Sequence, residues 1–410
     1  MNKAIVGGTL IDGTGGKPLD DSVVLISDSK IVGVGGAGDV KIPEDAKVLD
    51  ARGMVVMPGL IDCHTHLGAL GTDASAPSSV WILRAARDAL ANLESGVTTV
   101  RHLGALGIED DAGLKMAERS GLMRGSRISC GGVLWMTTKG PGLYRPYALP
   151  PTDGVDEIRK RVREYICLGA DTIKMFGSGG IGSMDGRIHR GGIFVRNYSL
   201  EELTAGTEEA HAFRKKAAAH AIGPQPIENA INAGVDSIEH GTFLDAQLAR
   251  KMAAKGIYWV PTTLVLTRYA SADLSEVDDP DYIEDAKACE KALAESYNVA
   301  LKAGVKIAMG TDIPFKADHG ESPVELALMV ERGVSEMQVI VSATKNAADL
   351  VGVGNQLGTL EKGKLADLLV VQGNPLKDIT VLQDKKRLKL IMKNGEVEVD
   401  RGIKLTKKGN

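Results

Sequence analysis

The chain has 410 residues, with 49 basic and 53 acidic side chains and a formal net charge of −4. Hydrophobic residues make up 43% and charged residues 25%, the balance of an ordinary globular protein, which excludes a disordered chain or a coiled coil. The near-neutral charge implies no nucleic-acid partner, and no apolar run approaches the ~20 residues of a membrane span, so no membrane partner is expected.

Two counts depart from the average. Glycine is 49 of 410 residues, well above the usual ~7%, and aromatics are 4%, so many tight turns and close backbone approaches are expected. Cys63, Cys130, Cys167 and Cys289 are too few and too scattered for a disulfide framework. Met1 leads directly into the strand-like Lys3-Ala4-Ile5-Val6 with no leader pattern. A cytoplasmic protein with reduced thiols is expected.

In chain order, the first fifty-odd residues read as short strands: Ala4–Val6, Val23–Ile26, Ile31–Val34 and Lys47–Leu49, punctuated by Gly7-Gly8, Asp12-Gly13, Gly15-Gly16 and Gly35-Gly36. The last fifty look alike, with strands at 366–371 and Leu388–Met392 and a hairpin turn at Lys393-Asn394-Gly395-Glu396. Neither end can build a core alone, so residues 1–58 and 357–410 are expected to form one small β-sandwich domain. Between them, over 59–356, eight short apolar runs alternate with amphipathic helical stretches. The runs are Val55–Ile61, Val97–Arg101, Arg127–Cys130, Asp171–Met175, Ala217–His220, Ser237–Glu239, Ile257–Val260 and Lys306–Met309. That alternation predicts an α/β fold with a (β/α)₈ barrel. No Gly-x-Gly-x-x-Gly loop follows an early strand, so a dinucleotide-binding oxidoreductase is unsupported.

Catalytic groups of such a barrel sit at the C-terminal ends of its strands. The first run continues into Asp62-Cys63-His64-Thr65-His66, where period two puts Asp62, His64 and His66 on one face. Two imidazoles there can bind one metal ion; hydrogen-bonded surface histidines are the bland alternative. Strand four carries Lys174 among apolar neighbours. A buried ammonium is costly unless paired or neutralised: it is either paired with an acid or carbamylated by CO₂ into an anionic ligand. Strands five, six and eight end in His220, His240 and Asp312. Singly each is unremarkable; together they aim histidines and a carboxylate at one mouth, a donor set suited to Zn²⁺ rather than Ca²⁺ or Mg²⁺.

The chain resembles the amidohydrolase superfamily. The matching segments are Val56-Met57-Pro58-Gly59-Leu60-Ile61-Asp62-Cys63-His64-Thr65-His66, Ile173-Lys174, His220, Ile238-Glu239-His240-Gly241 and Gly310-Thr311-Asp312. Ser342-Ala343-Thr344-Lys345-Asn346-Ala347-Ala348 and the stretch 358–368 complete them. Within the superfamily it is most similar to imidazolonepropionase-like proteins and Xaa-Pro or Xaa-Arg/Lys dipeptidases. The resemblance implies two divalent metal ions. His64, His66 and Asp312 would hold one, His220 and His240 the other, and a CO₂-derived carbamate on Lys174 would bridge them with a hydroxide between. Asp312 would act as general base, then acid. The implied reaction is hydrolysis of the C–N amide bond of a small molecule, of dipeptide or N-acyl amino acid type. The alternatives are a cyclic amide, a xenobiotic amide, carbamate or urea, or, more remotely, a non-catalytic metal-binding scaffold. A homo-oligomer is expected.

The sequence also departs from the pattern of that group. Ala221-Ile222 follows His220 where a polar or aromatic group is usual, and Met136-Thr137-Thr138-Lys139-Gly140 replaces a Gly-Gly-His-type segment. His102 stands where the group commonly has Asp, and is a candidate for substrate contact or for a supporting hydrogen bond. The long loop after strand three carries Trp135, Lys139, Tyr144, Arg145 and Tyr147, and the loop after strand four carries Arg187, His189, Arg190 and Arg196. Mobile mouth loops set specificity, so Trp135, Lys139, Tyr144, Arg145 and His189 are expected to touch substrate, unless the loops are merely solvated. Asp62 and His319 are expected to support the site, His211 to lie on a helix surface and Cys63 to pack in the core.

Overall fold

The computed structural model describes residues 2–68, 76–104, 107–134, 137–138, 151–181, 192–271, 280–313 and 319–406. The chain forms two compact units, Met1–Asp62 with Ala89–Thr99 and His319–Asn410, and Cys63–Asp88 with Val100–Asp318.

The chain opens with β1 (Asn2–Leu10), β2 (Leu19–Ser27), β3 (Lys30–Gly36), β4 (Lys47–Asp50) and β5 (Val55–Pro58). After the barrel come β13 (Leu368–Val371), β14 (Leu388–Lys393), β15 (Glu396–Asp400) and β16 (Lys404–Thr406). These nine strands make one sheet. One edge of β1 pairs antiparallel with β2; the other pairs parallel with β4 over residues 3–6 and with β5 over 9–10. The sheet therefore branches at β1 into two arms, and Ile5, Val24, Ile26, Leu49, Val56, Leu368, Val370, Leu390 and Met392 form one buried cluster. β13 lies between β5 and β14, so the two ends of the chain do build one sheet. The expected hairpin joins β14 to β15: Asn394 (φ 52°) and Gly395 (φ 74°) both adopt the left-handed backbone of a two-residue turn.

The barrel strands are β6 (Leu60–Thr65), β7 (Val97–His102), β8 (Arg127–Leu134), β9 (Thr172–Phe176), β10 (Lys216–Ala221), β11 (Ser237–His240) and β12 (Tyr258–Val260). They form a seven-stranded sheet in sequential order; the ladders from β8 to β12 are parallel. The intervening helices are α1 (Ser78–Glu94), α2 (Ile108–Arg119), α3 (Gly154–Leu168), α4 (Leu200–Ala212), α5 (Pro224–Ala233), α6 (Ala246–Lys255), α7 (Thr263–Ala270) and α8 (Pro280–Ala303). Helices α9 (Pro323–Glu331), α10 (Glu336–Ser342) and α11 (Lys345–Val351) follow. Local signals match the elements: a Ser199/Glu202 capping box starts α4, and Gly169, Gly234 and Gly256 end α3, α5 and α6 left-handed.

Two expectations are corrected. The run Val55–Ile61 is not one strand. It divides at Gly59 into β5, in the terminal sheet, and β6, the first barrel strand. A Cβ on Gly59 would lie 2.3 Å from Thr98 Oγ1, so only glycine allows this approach. The eighth run forms a single parallel bridge, Ile307 to Trp259, rather than a full strand. It still closes the barrel: Ala308 N–H donates to Trp259 (2.9 Å), Cys63 N–H to Met309 (2.9 Å) and Asp312 N–H to His64 (2.7 Å). Among the described residues no helix is long and apolar enough to cross a membrane.

Candidate metal centre

β6 brings His64, and His66 just beyond it; β9 brings Lys174, β10 His220, β11 His240, and the closing segment Asp312. Nε2 of His66 is 3.1 Å and Nε2 of His64 3.5 Å from Asp312 Oδ1, and Asp312 Oδ2 is 4.0 Å from His240 Nδ1. Lys174 Nζ lies 3.4 Å from His64 Nε2. The His64 and His240 ring centres are 5.2 Å apart, those of His220 and His240 4.5 Å, and Phe176 stacks on His220 at 4.7 Å. Among the described residues, one ligand atom each from His64, His240 and Asp312 lies within 4.8 Å of the others. That triad cuts across the two ligand sets the resemblance implies, because all six side chains share one pocket of backbone ends.

Each imidazole is held through one nitrogen. His64 Nδ1 donates to Glu239 Oε2 (2.8 Å), His66 Nδ1 to the Gly104 carbonyl (2.5 Å) and His220 Nε2 to the Gly179 carbonyl (3.1 Å). His240 Nδ1 is 2.8 Å from Thr262 Oγ1, whose own proton goes to the Pro261 carbonyl, so the ring donates here too. The other nitrogens are Nε2 of His64, His66 and His240 and Nδ1 of His220, and those of His64 and His66 face Asp312 Oδ1 at 3.5 and 3.1 Å. This is the arrangement of metal-ligating histidines, which give their second N–H to an oxygen acceptor.

Burial, then the nearby Lys174, holds the His64 pKa well below the imidazole range; burial, then His240, does the same to His220. Burial pulls His240 down to about 4 against the opposing pull of Asp312. Burial acts to raise the Asp312 carboxyl, but His64, His66 and His240 outweigh it and hold it well below the carboxylate range. Burial lowers Lys174 to about 8. Among the described residues no carboxylate forms an ion pair with Lys174, which counts against the reading of a lysine paired with an acid. Neutral imidazoles, an anionic carboxylate and an amine easily neutralised fit a divalent-metal site.

Sequence reading assigned no role to the supports of this cluster. Arg101, fully buried on β7, donates to Glu239 Oε1 (2.7 Å), Ser237 Oγ (3.1 Å) and the Cys63 carbonyl (2.5 Å). Glu239 stood inside a quoted motif, but nothing in that motif says that its carboxylate reaches a histidine on another strand. Three non-glycine residues at the mouth, His240 (φ 69°), Thr262 (φ 51°) and Asp312 (φ 51°), have left-handed backbones. Such conformations cost of order 1–3 kcal/mol each and gather where structure is held for function.

The other candidates divide. Trp135, Lys139, Tyr144, Arg145 and His189, with Tyr147, Arg187 and Arg190, lie outside the described residues. His102 is fully buried, and both ring nitrogens are engaged, by Leu67 N–H (3.1 Å) and Asp111 Oδ1 (2.8 Å). Both of its ring nitrogens are therefore occupied within the protein. Asp62 is fully buried in β6. His319 belongs to the unit of the terminal sheet, its Nδ1 3.4 Å from Asn92 Nδ2. His211 is half-exposed beside Asp236 (2.8 Å), and Cys63 is a buried free thiol.

A sequence model of the amidohydrolase family matches residues 55–397. The chain belongs to the amidohydrolase family. It is similar to ochratoxinase of Aspergillus niger, at 33% identity over 97% of this chain and 87% of that protein; the crystal structure of that enzyme superposes with a TM-score of 0.85 over 98% of this chain and 96% of that one. Imidazolonepropionase of Geobacillus thermodenitrificans is 25% identical over 87% of this chain and 84% of its own. A prolidase crystallised with N-methylphosphonate-L-proline is 31% identical, with a TM-score of 0.88 over 98% of this chain and 100% of that one. This amidohydrolase is thus a hydrolase acting on C–N bonds. The family generally uses divalent metals, and His64, His240 and Asp312 form a cluster with the ligand atoms to hold one.

Proposed function

We propose that this amidohydrolase cleaves the amide bond of a small molecule bearing a free carboxylate, a dipeptide or N-acyl amino acid, with two divalent ions, Zn²⁺ being the suited metal. The observation that carries this is the gathering of four imidazoles, each held at one nitrogen by an oxygen, around the Asp312 carboxylate. His64, His66 and Asp312 would hold one ion, and His220 and His240 the other. When bound, the ions lower the pKa of water and polarise the scissile carbonyl.

The chain's own groups do the rest. The Lys174 amine is buried and lacks an ion-pair partner among the described residues, so it is suited to add CO₂. From the neutral amine an N–C bond to CO₂ would form as one N–H proton passes to solvent water, and the resulting carbamate would supply anionic oxygen donors beside His64. Asp312 Oδ1, beside His66 Nε2 (3.1 Å), takes the proton of the attacking water and delivers it to the leaving nitrogen.

The substrate class is supported by the prolidase ligand. In N-methylphosphonate-L-proline a tetrahedral phosphorus sits on the amino acid nitrogen, where an attacked acyl carbon would be. The lower identity to imidazolonepropionase makes a cyclic amide the weaker reading. The test is metal analysis of protein from Zn²⁺-supplemented growth, then a screen of dipeptides, N-acyl amino acids and lactams. Stoichiometric metal with turnover of the first two classes, lost on chelation and restored by Zn²⁺, is expected. Absence of metal refutes the mechanism, and turnover confined to lactams refutes the substrate class.

A further inference from the structure

The barrel interior contains an ion pair that the proposed chemistry does not use. Arg101 and Glu239 are both fully buried, with Arg101 Nη2 2.7 Å from Glu239 Oε1. Burying two charges costs several kcal/mol each unless hydrogen bonds and mutual attraction offset it, and well-packed apolar residues of similar volume often serve stability as well or better. Stability alone is therefore a poor account of the pair.

Its geometry suggests another role. The guanidinium ties together three groups on two strands: the Cys63 carbonyl on β6 (2.5 Å), and Ser237 Oγ (3.1 Å) and Glu239 on β11. Ser237 Oγ also donates to Glu239 Oε1 (2.5 Å). One carboxylate oxygen is thus fully committed, and the carboxylate plane is set. The other oxygen, Oε2, accepts the Nδ1 proton of His64 (2.8 Å). Cys63 is the neighbour of His64, and Glu239 the neighbour of His240. A single cation braces the backbone beside one candidate ligand, and the side chain that orients it.

We propose that Arg101 and Glu239 are positioning residues for the metal centre: Arg101 aligns the Glu239 carboxylate, which holds the His64 ring with Nε2 turned towards Lys174 and Asp312. This rests on the metal-dependent reading above. Lysine at 101 would keep a point charge but not the planar fork that reaches three acceptors.

The test is Zn²⁺ uptake by the metal-stripped full chain, followed by calorimetric titration. It compares wild type with Glu239→Gln, Arg101→Lys and the double variant Arg101→Met/Glu239→Gln, which leaves no unpaired buried charge. Partners of metal-bound histidines typically alter affinity by about 10–100-fold. Glu239→Gln and the double variant are expected to bind one ion that much more weakly, with Arg101→Lys between them and wild type. The melting temperature of the metal-free variants should not follow that order. Wild-type uptake with unchanged affinity in all three variants overturns this proposal alone. A loss of affinity that tracks melting temperature reduces the pair to a structural role and also overturns it. A wild-type chain that takes up no ion overturns the metal-centre reading, and this proposal with it.

Discussion

At the scale of single residues, the chemistry depends on which nitrogen of each histidine is left over. Four acceptors decide that: Glu239, Thr262 and the carbonyls of Gly104 and Gly179. Thr262→Val keeps the shape and removes the oxygen that takes the His240 proton. It should weaken binding of one ion by about 10-fold or more, read by competition with a fluorescent chelator. Asp312→Asn keeps the size and hydrogen-bonding reach but loses the proton shuttle. Turnover should fall by about 10²–10⁴-fold, the usual share of general acid–base catalysis, while binding of a non-cleavable phosphonate analogue is largely spared. Near-wild-type turnover in Asp312→Asn would remove the assigned role. Lys174→Met keeps the length of the buried side chain but removes its amine beside His64, so the fold should survive while bound metal drops, measured by elemental analysis.

At the scale of elements, two of the candidate ligands sit where the backbone bends at the barrel mouth. His240 and Asp312 turn into left-handed backbone at the mouth, and the segment carrying Asp312 lies tightly against β6. A Cβ on Gly310 would sit 2.4 Å from Val260 Cγ1 and 2.9 Å from His64 Cβ. Gly310→Ala should therefore cost about 1–3 kcal/mol as an overpacked site and shift His64, lowering both urea resistance and metal affinity. Gly113→Ala is the matched control. Its Cβ would meet nothing within 4 Å, inside α2, so helix propensity alone predicts a gain of up to about 1 kcal/mol with metal binding unchanged.

At the scale of the whole molecule, the terminal sheet makes the two ends of the chain interdependent. β13 covers one edge of β5, and Leu368, Val370, Leu390 and Met392 sit in the same buried cluster as Ile5 and Val56. Each such side chain contributes roughly 1.5–3 kcal/mol by burial, so four together reach the scale of an entire domain's stability, about 5–15 kcal/mol. Deleting residues 357–410 should leave a chain that fails to fold, seen as protease sensitivity and loss of a cooperative melting transition. A truncated chain that melts cooperatively would show that the sheet is not a folding requirement.

The sequence by itself determined the alternation of strands and helices, the two β-rich ends and which side chains are candidate ligands. These are local properties: period-two patterning, turn glycines and donors placed at strand ends, as in His64-Thr65-His66 and His240-Gly241. It could not show that Val55–Ile61 serves two sheets, since no apolar pattern marks the division; only the approach of Gly59 to Thr98 does. It left His102 open between substrate contact and a supporting hydrogen bond, because a histidine near a barrel mouth looks the same whether or not its nitrogens are occupied, and the occupants, Leu67 and Asp111, lie elsewhere in the chain. Arg101 carried no signal at all: its partners are 38, 136 and 138 residues away. Residue types and their spacing are written along the chain, whereas tautomer, burial and charge pairing are set by groups distant in sequence, and only the closed barrel brings those groups within hydrogen-bonding distance.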